Sequence, residues 1–548
     1  MTRRSLLGMA FAPNGPGFTL TDVTRTAGLS FQHNTGAYGA KYLPETMGPG
    51  CAFLDYDNDG WLDILLINGQ DWPGHVRQSS RLKLYRNNRN GTFSDVTRAA
   101  GLDVDLYGLG VCVGDFDNDG FPDLYITCVG QSRLFRNTGK GSFIDVTNKA
   151  GLGGRSAFSS SAMWVDIDRD GHLDLLVCNY VRWAPELDVF CSPDGKTKSY
   201  CTPEAYRGAT NWLFRNRGDG TFEDVTAKSG LFDASSKSLA ATMLDFDHDG
   251  WPDLFIANDT QPNKLYRNNR NGTFREQAMR MGVAFSEDGR ARAGMGADAG
   301  DFLRTGQEGI AVTNFDNEMM GVYEASGAGF LDRASANGIG LASRDRLGFA
   351  CGFMDMNLDG HLDLLAVNGH IDGSARNLQR GSSHAQPPNL FLNDGKGHFR
   401  DVAAELGPTF VSPKVGRGAA WGDFDRDGDV DLLITTNGGP AFLYRNDVQN
   451  GNLSIRFKLE GRKSNRDGIG AVVRIFDATG QQMRMVRGAA SYLSSPDRTV
   501  TFGVGNRPRV DRAVIEWPSG RTDEFKNLAT GQSYLCVEGE APKALPYR

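Results

Sequence analysis

The stretch DYDNDGWLD, residues 55–63, puts four carboxylates into nine residues. Like charges this close repel, so the loop either holds a cation or stays open to water. The pattern returns as DFDNDGFPD from Asp115, DIDRDGHLD from Asp166, DFDHDGWPD from Asp245, DMNLDGHLD from Asp355 and DFDRDGDVD from Asp423. In D-x-[DN]-x-D-G-x-x-D, side-chain oxygens stand at positions 1, 3, 5 and 9. The backbone carbonyl of position 7 is available, and glycine at position 6 allows a sharp turn. Hard oxygen donors without nitrogen or sulfur select Ca²⁺, which accepts six to eight oxygens in irregular geometry.

The expected ligands are Asp55, Asp57, Asp59 and Asp63 with the Trp61 carbonyl, and Asp115, Asp117, Asp119 and Asp123 with that of Phe121. Next come Asp166, Asp168, Asp170 and Asp174 with His172, then Asp245, Asp247, Asp249 and Asp253 with Trp251. The last two sets are Asp355, Asn357, Asp359 and Asp363 with His361, and Asp423, Asp425, Asp427 and Asp431 with Asp429. The alternative is a set of acidic solvated turns; six copies at one spacing argue against it. An EF-hand would carry Glu at position 12, where this chain has Leu66, Ile126, Val177, Ile256, Ala366 and Ile434. No histidine or nucleophile pattern accompanies the loops, so the metal is read as structural. A seventh copy from Gly300, GDFLRTGQEG, has lost most of its acids, which puts metal there in doubt.

Each loop is embedded in a larger repeat. A small-residue apolar strand (A) precedes it, as in GCAFL or GVCVG, and DILLIN or DLLVCN (B) follows. An aromatic strand ending in Asn (C), such as LYRNN or LFRNT, leads through a Gly-containing turn to TFSDVT or SFIDVT (D). Four strands per unit and seven units indicate an all-β chain, a seven-bladed β-propeller. The last unit ends at LYRND without a D strand, while residues 17–24, GFTLTDVT, are a D strand with no unit before them. The N-terminal strand is therefore expected beside 442–446, closing the ring. The propeller is placed at 17–449, a small antiparallel β-domain at 450–540 and a tail at 541–548.

The chain has 548 residues and a formal net charge of −7, which argues against general nucleic-acid affinity. It contains no apolar run long enough for a transmembrane helix. Residues 1–16 carry a twin arginine, a short apolar run and an Ala-x-Ala, like a minimal or truncated export signal, so a periplasmic or extracellular location is expected. Cys191 and Cys201 flank a short polar loop and read as a disulfide. Cys51, Cys112 and Cys351 precede acidic loops and read as small buried residues.

The repeats resemble the FG-GAP or VCBS repeats of integrin-like propellers. The segment from Ser464 to Phe525, SNRDGIGAVVRIF through VDRAVIEWPSGRTDEF, resembles the ASPIC/UnbV domain. The whole is similar to the cartilage acidic protein family. The resemblance implies an exported, calcium-binding propeller with a C-terminal β-domain, and implies little about activity. Such relatives occur in extracellular matrix and in bacterial gene sets, including enediyne polyketide pathways.

In a four-strand unit the acidic loops and C–D turns share one face, and the B–C and D–A loops share the other. The long insertions, 32–50, 183–210, 285–294 and 370–388, all belong to the second face, where a ligand funnel is expected. B strands end there in Asn68, Asn179, Asn258, Asn314, Asn368 and Asn437, whose amides either meet a ligand or satisfy turn backbone. His33, Glu45, Asp71, Tyr180, Asp259, Asp316, His370 and Arg417 lie on the same side. Two functional classes follow: a calcium-stabilised binding, adhesion or scaffold module for a protein, glycan or small molecule, and an enzyme (cyclase, lyase or hydrolase) with its site in the funnel.

Overall fold

The computed structural model describes residues 15–75, 80–327, 329–373 and 382–547. The segment 1–16 expected as an export signal lies largely outside them, as does part of the 370–388 insertion. The described residues form four-stranded antiparallel meanders. Unit 1 comprises Cys51–Leu54, Asp63–Leu66, Lys83–Asn87 and Phe93–Asp95. The A strands of units 2 to 7 are Gly108–Gly114, Ala157–Val165, Ser238–Leu244, Ala297–Gly300, Gly348–Met354 and Gly416–Gly422. Strand Phe18–Asp22 pairs with Phe442–Val448, with Phe18 opposite Val448 and Asp22 opposite Tyr444, so the first strand completes the last unit as expected.

Successive A strands pack side by side, and Gly416–Gly422 returns to Cys51–Leu54, so the ring closes. Burial follows the radius. Strand Gly108–Gly114 is buried at every residue, while in Phe93–Asp95 only Phe93 is buried. That gradient explains the small residues of strand A. At Gly50 a Cβ would sit 1.9 Å from the Leu493 carbonyl oxygen. Units 2 and 3 also share a backbone pairing, Ala157 to Gly130 and Phe158 to Val129, which merges them into one eight-stranded sheet.

A side-chain staple joins neighbouring units. The Asn ending strand C donates its Nδ2 across the unit boundary: Asn137 to the Tyr56 carbonyl at 2.8 Å, Asn216 to that of Phe116 at 2.8 Å and Asn268 to that of Ile167 at 2.8 Å. Asn87 reaches Phe424 at 2.9 Å, which ties unit 1 back to unit 7.

The C-terminal part forms two four-stranded sheets. They depart from the antiparallel expectation at one pair: Ser454–Glu460 runs parallel to Gln532–Val537, with Ile455 opposite Gln532. Residues expected as a tail extend that sheet, Lys543–Pro546 pairing with the strand at 532. These sheets dock on the acidic-loop face and send one segment into the ring. Val111 N donates to the Leu493 carbonyl at 3.0 Å, Ser495 N to Cys51 at 2.9 Å and Ser491 N to Ala297 at 2.9 Å. Tyr492 is fully buried, and its hydroxyl donates to the Met47 carbonyl at 3.0 Å. The axial channel is thus filled by 491–495. Cys191 and Cys201 are bonded, and Cys51, Cys112 and Cys351 are buried free thiols.

Candidate metal centres and the opposite face

In every intact acidic loop the first aspartate accepts the backbone N–H of the position-6 glycine. Asp55 Oδ2 takes that of Gly60 at 3.0 Å, Asp115 that of Gly120 at 2.7 Å and Asp166 that of Gly171 at 3.1 Å. Asp245, Asp355 and Asp423 do the same. Gly60 has φ +86°, a backbone that side-chain-bearing residues rarely adopt. The position-9 aspartate is buried and clamps two N–H groups; Asp63 accepts Tyr56 N at 3.1 Å and Asn87 N at 2.7 Å. Asp123, Asp174, Asp253, Asp363 and Asp431 repeat this clamp. At position 5, Asp59, Asp119, Asp170, Asp249, Asp359 and Asp427 each accept the N–H of the position-7 residue. Outer oxygens of positions 3 and 5 meet a strand-C arginine: Arg136 for Asp117 and Asp119, Arg215 for Asp168 and Asp170, Arg267 for Asp247 and Asp249.

Five of the six intact loops leave at least one oxygen over. Oδ1 of Asp57, Asp117, Asp168, Asp247 and Asp425 is buried with no hydrogen-bond partner, as are Asp55 Oδ1 and Asp429 Oδ1. In the same five loops, oxygens from positions 1, 3 and 9 lie within 4.8 Å of one another. A buried carboxylate oxygen without a partner is costly, and a cation at the centre of each loop would satisfy all three. Burial, then the neighbouring carboxylates, pushes the carboxyl of Asp63 up to about 9 and that of Asp253 to about 8. Asp115, Asp166 and Asp425 are raised to about 7 for the same reasons. These loops hold more negative charge than their protein neighbours balance, and the all-oxygen donor set fits a hard divalent cation.

The loop from Asp355 differs at position 3, where Asn357 donates to Asp359 Oδ2 at 3.0 Å. The seventh, degenerate loop has a different use. Asp301 still accepts Thr305 N and Gly306 N at 2.8 Å each, but Leu303 and Gly309 stand at positions 3 and 9. The C-terminal sheets grip it instead. Arg487 pairs with Glu308, and Arg304 donates to the Gln481 carbonyl at 3.1 Å and Thr479 Oγ1 at 3.0 Å. The sheets also touch intact loops, through Arg456 on Asp423 and through Lys458, 3.5 Å from Asp55.

On the opposite face the strand-end asparagines satisfy loop backbone. Asn68 donates to the Gln32 and Arg81 carbonyls, Asn179 to Thr210, Asn258 to Pro262, Asn314 to Met319, Asn368 to Pro387 and Asn437 to Glu45. His33 is buried and accepts Gly438 N at 3.0 Å; burial, with the Arg417 charge, holds it down to about 3. Glu45 accepts the Tyr200 hydroxyl at 3.0 Å, and burial raises its carboxyl. Asp71 accepts Asn34 Nδ2 at 2.9 Å. Arg417 is fully buried, donates to the carbonyls of Thr46, Gly369 and Gly416, and stacks 3.9 Å from the Phe349 ring centroid. Two acid pairings stand out: Tyr180 with Asp259, and His370 Nε2 3.7 Å from Asp316. Sequence reasoning missed an aromatic cluster on this face, where Trp72 stacks on Tyr107 at 4.5 Å and Tyr42 meets both Trp72 and Trp183 at 5.3 Å. Its members come from separate loops with no shared spacing.

FG-GAP-like repeat sequences are matched at residues 55–126, 126–177, 186–256, 245–312 and 355–434, more than half of the chain. The chain belongs to the FG-GAP-like repeat family. In this FG-GAP-repeat protein the ASPIC and UnbV family also matches, at residues 461–543. The chain is similar to cartilage acidic protein 1 of Xenopus tropicalis, 23% identical over 93% of this chain and 67% of the relative. It is also similar to that of Homo sapiens, 23% identical over 60% of this chain, and spans 40% of the human protein. Among solved structures, an Agrocybe aegerita lectin described as recognising non-reducing terminal N-acetylglucosamine matches with a TM-score of 0.40 and 18% identity, over 65% of this chain and 81% of the lectin.

Proposed function

We propose that this FG-GAP-repeat protein is an exported, calcium-stabilised propeller that acts as a binding or scaffold module, offering the face opposite its acidic loops to a ligand. Ca²⁺ is held by the side chains at positions 1, 3, 5 and 9 of the six intact loops, with the position-7 carbonyl. The observation that carries this reading is the position-3 oxygen left buried and unpartnered in five loops. The Cys191–Cys201 disulfide supports an oxidising, extracellular or periplasmic setting. The module reads as a propeller over 17–449 with an ASPIC/UnbV-like domain from 450. Trp61 and Trp251 stand at position 7 and provide the test. Excited at the indole band, they should sensitise luminescence of bound Tb³⁺, and Ca²⁺ should quench it by displacement. Absence of sensitised emission at saturating Tb³⁺ would count against ion binding. A second reading, an enzyme acting in the funnel, rests on the His370–Asp316 pair; it is tested by turnover lost in Asp316→Asn.

A further inference from the structure

A cavity of about 160 Å³ opens on the face opposite the acidic loops, where the ends of four B strands meet the segment before unit 1. Its apolar walls include Met295 and Phe315, and three carboxylates, Glu204, Asp259 and Glu318, line it. Asp259 is 7% exposed and accepts the hydroxyl of Tyr180, which fixes its direction. Beside it Thr260 is held at φ +59°, and its Oγ1 is buried without a partner. Among the described residues the lining contains no lysine, arginine or histidine. The cations whose charges act on Asp259 and Glu318, Lys237 and Arg292, are bonded elsewhere. Lys237 donates Nζ to the Pro203 carbonyl at 2.8 Å, and Arg292 pairs with Asp332 at 2.7 Å. Arg417 stands behind Phe349, bonded to backbone carbonyls.

Three acids facing a recessed, partly apolar space, with no cation in its described lining and only Lys237 and Arg292 acting on them from outside it, ask for a cation. A bare metal ion does not suit them. Among the described residues, the acid groups whose oxygens converge within 4.8 Å are all in the acidic loops, and these three are not among them. Spread carboxylates on apolar walls suit a larger cation with its own hydrocarbon surface. The volume sets its size, because a cavity of about 150 Å³ accommodates benzene. We propose that this cavity binds a small organic ammonium ion of about six or seven heavy atoms, with Asp259 as its counter-ion, Tyr180 orienting that carboxylate, and Glu204 and Glu318 completing the negative field. Burial, the largest influence on Asp259, raises its carboxyl to about 7, against the opposing effects of the Tyr180 hydroxyl and the Lys237 charge.

The inference deepens the reading of this face as the ligand face and is separable from the calcium reading on the other. The test is calorimetric titration of the calcium-saturated full chain with choline and with 3,3-dimethyl-1-butanol, its uncharged counterpart of the same shape. Choline should bind at least tenfold more tightly than the alcohol. Asp259→Asn should weaken choline at least about tenfold, and Glu318→Gln by less, with the melting temperature unchanged. Should Asp259→Asn fail to fold, Glu318→Gln still reads the charge requirement. Equal binding of alcohol and choline would reduce the cavity to an apolar pocket and overturn the proposal. So would failure of choline, methylammonium and tetramethylammonium all to bind. Either result leaves Tb³⁺ luminescence and calcium binding untouched, whereas loss of those with choline binding intact would overturn the calcium reading alone.

Discussion

Withdrawing the cations should be the most damaging mild perturbation. Five loops each converge three carboxylate oxygens. An ion that binds only the native state contributes RT ln(1 + [L]/Kd), about 2.7 kcal/mol per site at a hundredfold excess over Kd. Five sites then contribute about 13 kcal/mol, comparable to the whole stability of an ordinary domain, about 5–15 kcal/mol. Unfolding entropy runs at about 2.1 cal/mol/K per residue, so a chain of 548 residues loses roughly 1 °C per kcal/mol. A chelator should lower the melting temperature by roughly 12 °C if the units unfold together. Ca²⁺ should restore it better than Mg²⁺, which prefers small octahedral shells. Differential scanning calorimetry in calcium, in chelator and after re-addition of each metal gives the comparison. A midpoint that does not move with chelation would refute the reasoning, and the loops would be acidic turns held by their backbone N–H groups and, in three of them, by Arg136, Arg215 and Arg267.

Two further outcomes follow from single side chains. Asn137→Ala removes a fully buried amide that holds Tyr56 of the preceding unit and Pro122 of its own; denaturant unfolding should show a loss of about 3 kcal/mol, and a loss below 1 kcal/mol would remove the staple from the account. Glu538 accepts the N–H groups of Arg462, Lys463 and Ser464 at 2.8, 2.8 and 2.9 Å. Burial raises its carboxyl, but hydrogen bonds from Ser519 and those backbone groups outweigh burial and hold it at about 2, against an ordinary 4.5. A depressed carboxyl stabilises fully above its unfolded value. That contribution, on the order of 1–3 kcal/mol, is lost as pH falls from about 4.5 through about 2. Glu538→Gln should therefore melt lower than the parent at pH 6 and converge with it near pH 2.

What could be read from the chain was what is local or repeated. The acidic loops and the orphan D strand at 17–24 are short patterns whose partners the repeat itself supplies, so both the turn geometry and the closing pair Phe18–Val448 were legible. The terminal Asn of strand C was visible as a repeated letter, but its reach into the preceding unit needs the third dimension. The plug at 491–495 was not legible, because SYLSS has no periodicity and finds its partners at Cys51, Val111 and Ala297, far away in sequence. The parallel pairing of Ile455 with Gln532 was hidden for the same reason, since alternation marks a strand and not its neighbour. On the ligand face, the cavity's acids, Glu204, Asp259 and Glu318, come from loops of three units with no common spacing.

The central claim is that the acidic loops bind calcium, and counting the ions tests it most directly. Equilibrium dialysis of the parent and of Asp57→Ala against micromolar Ca²⁺, with metal quantified per chain, should give at least five ions in the parent. The variant should hold one fewer, because its loop loses the orphaned oxygen while the others sit in different units. Fewer than one ion per chain, or an unchanged count in Asp57→Ala, would contradict the account.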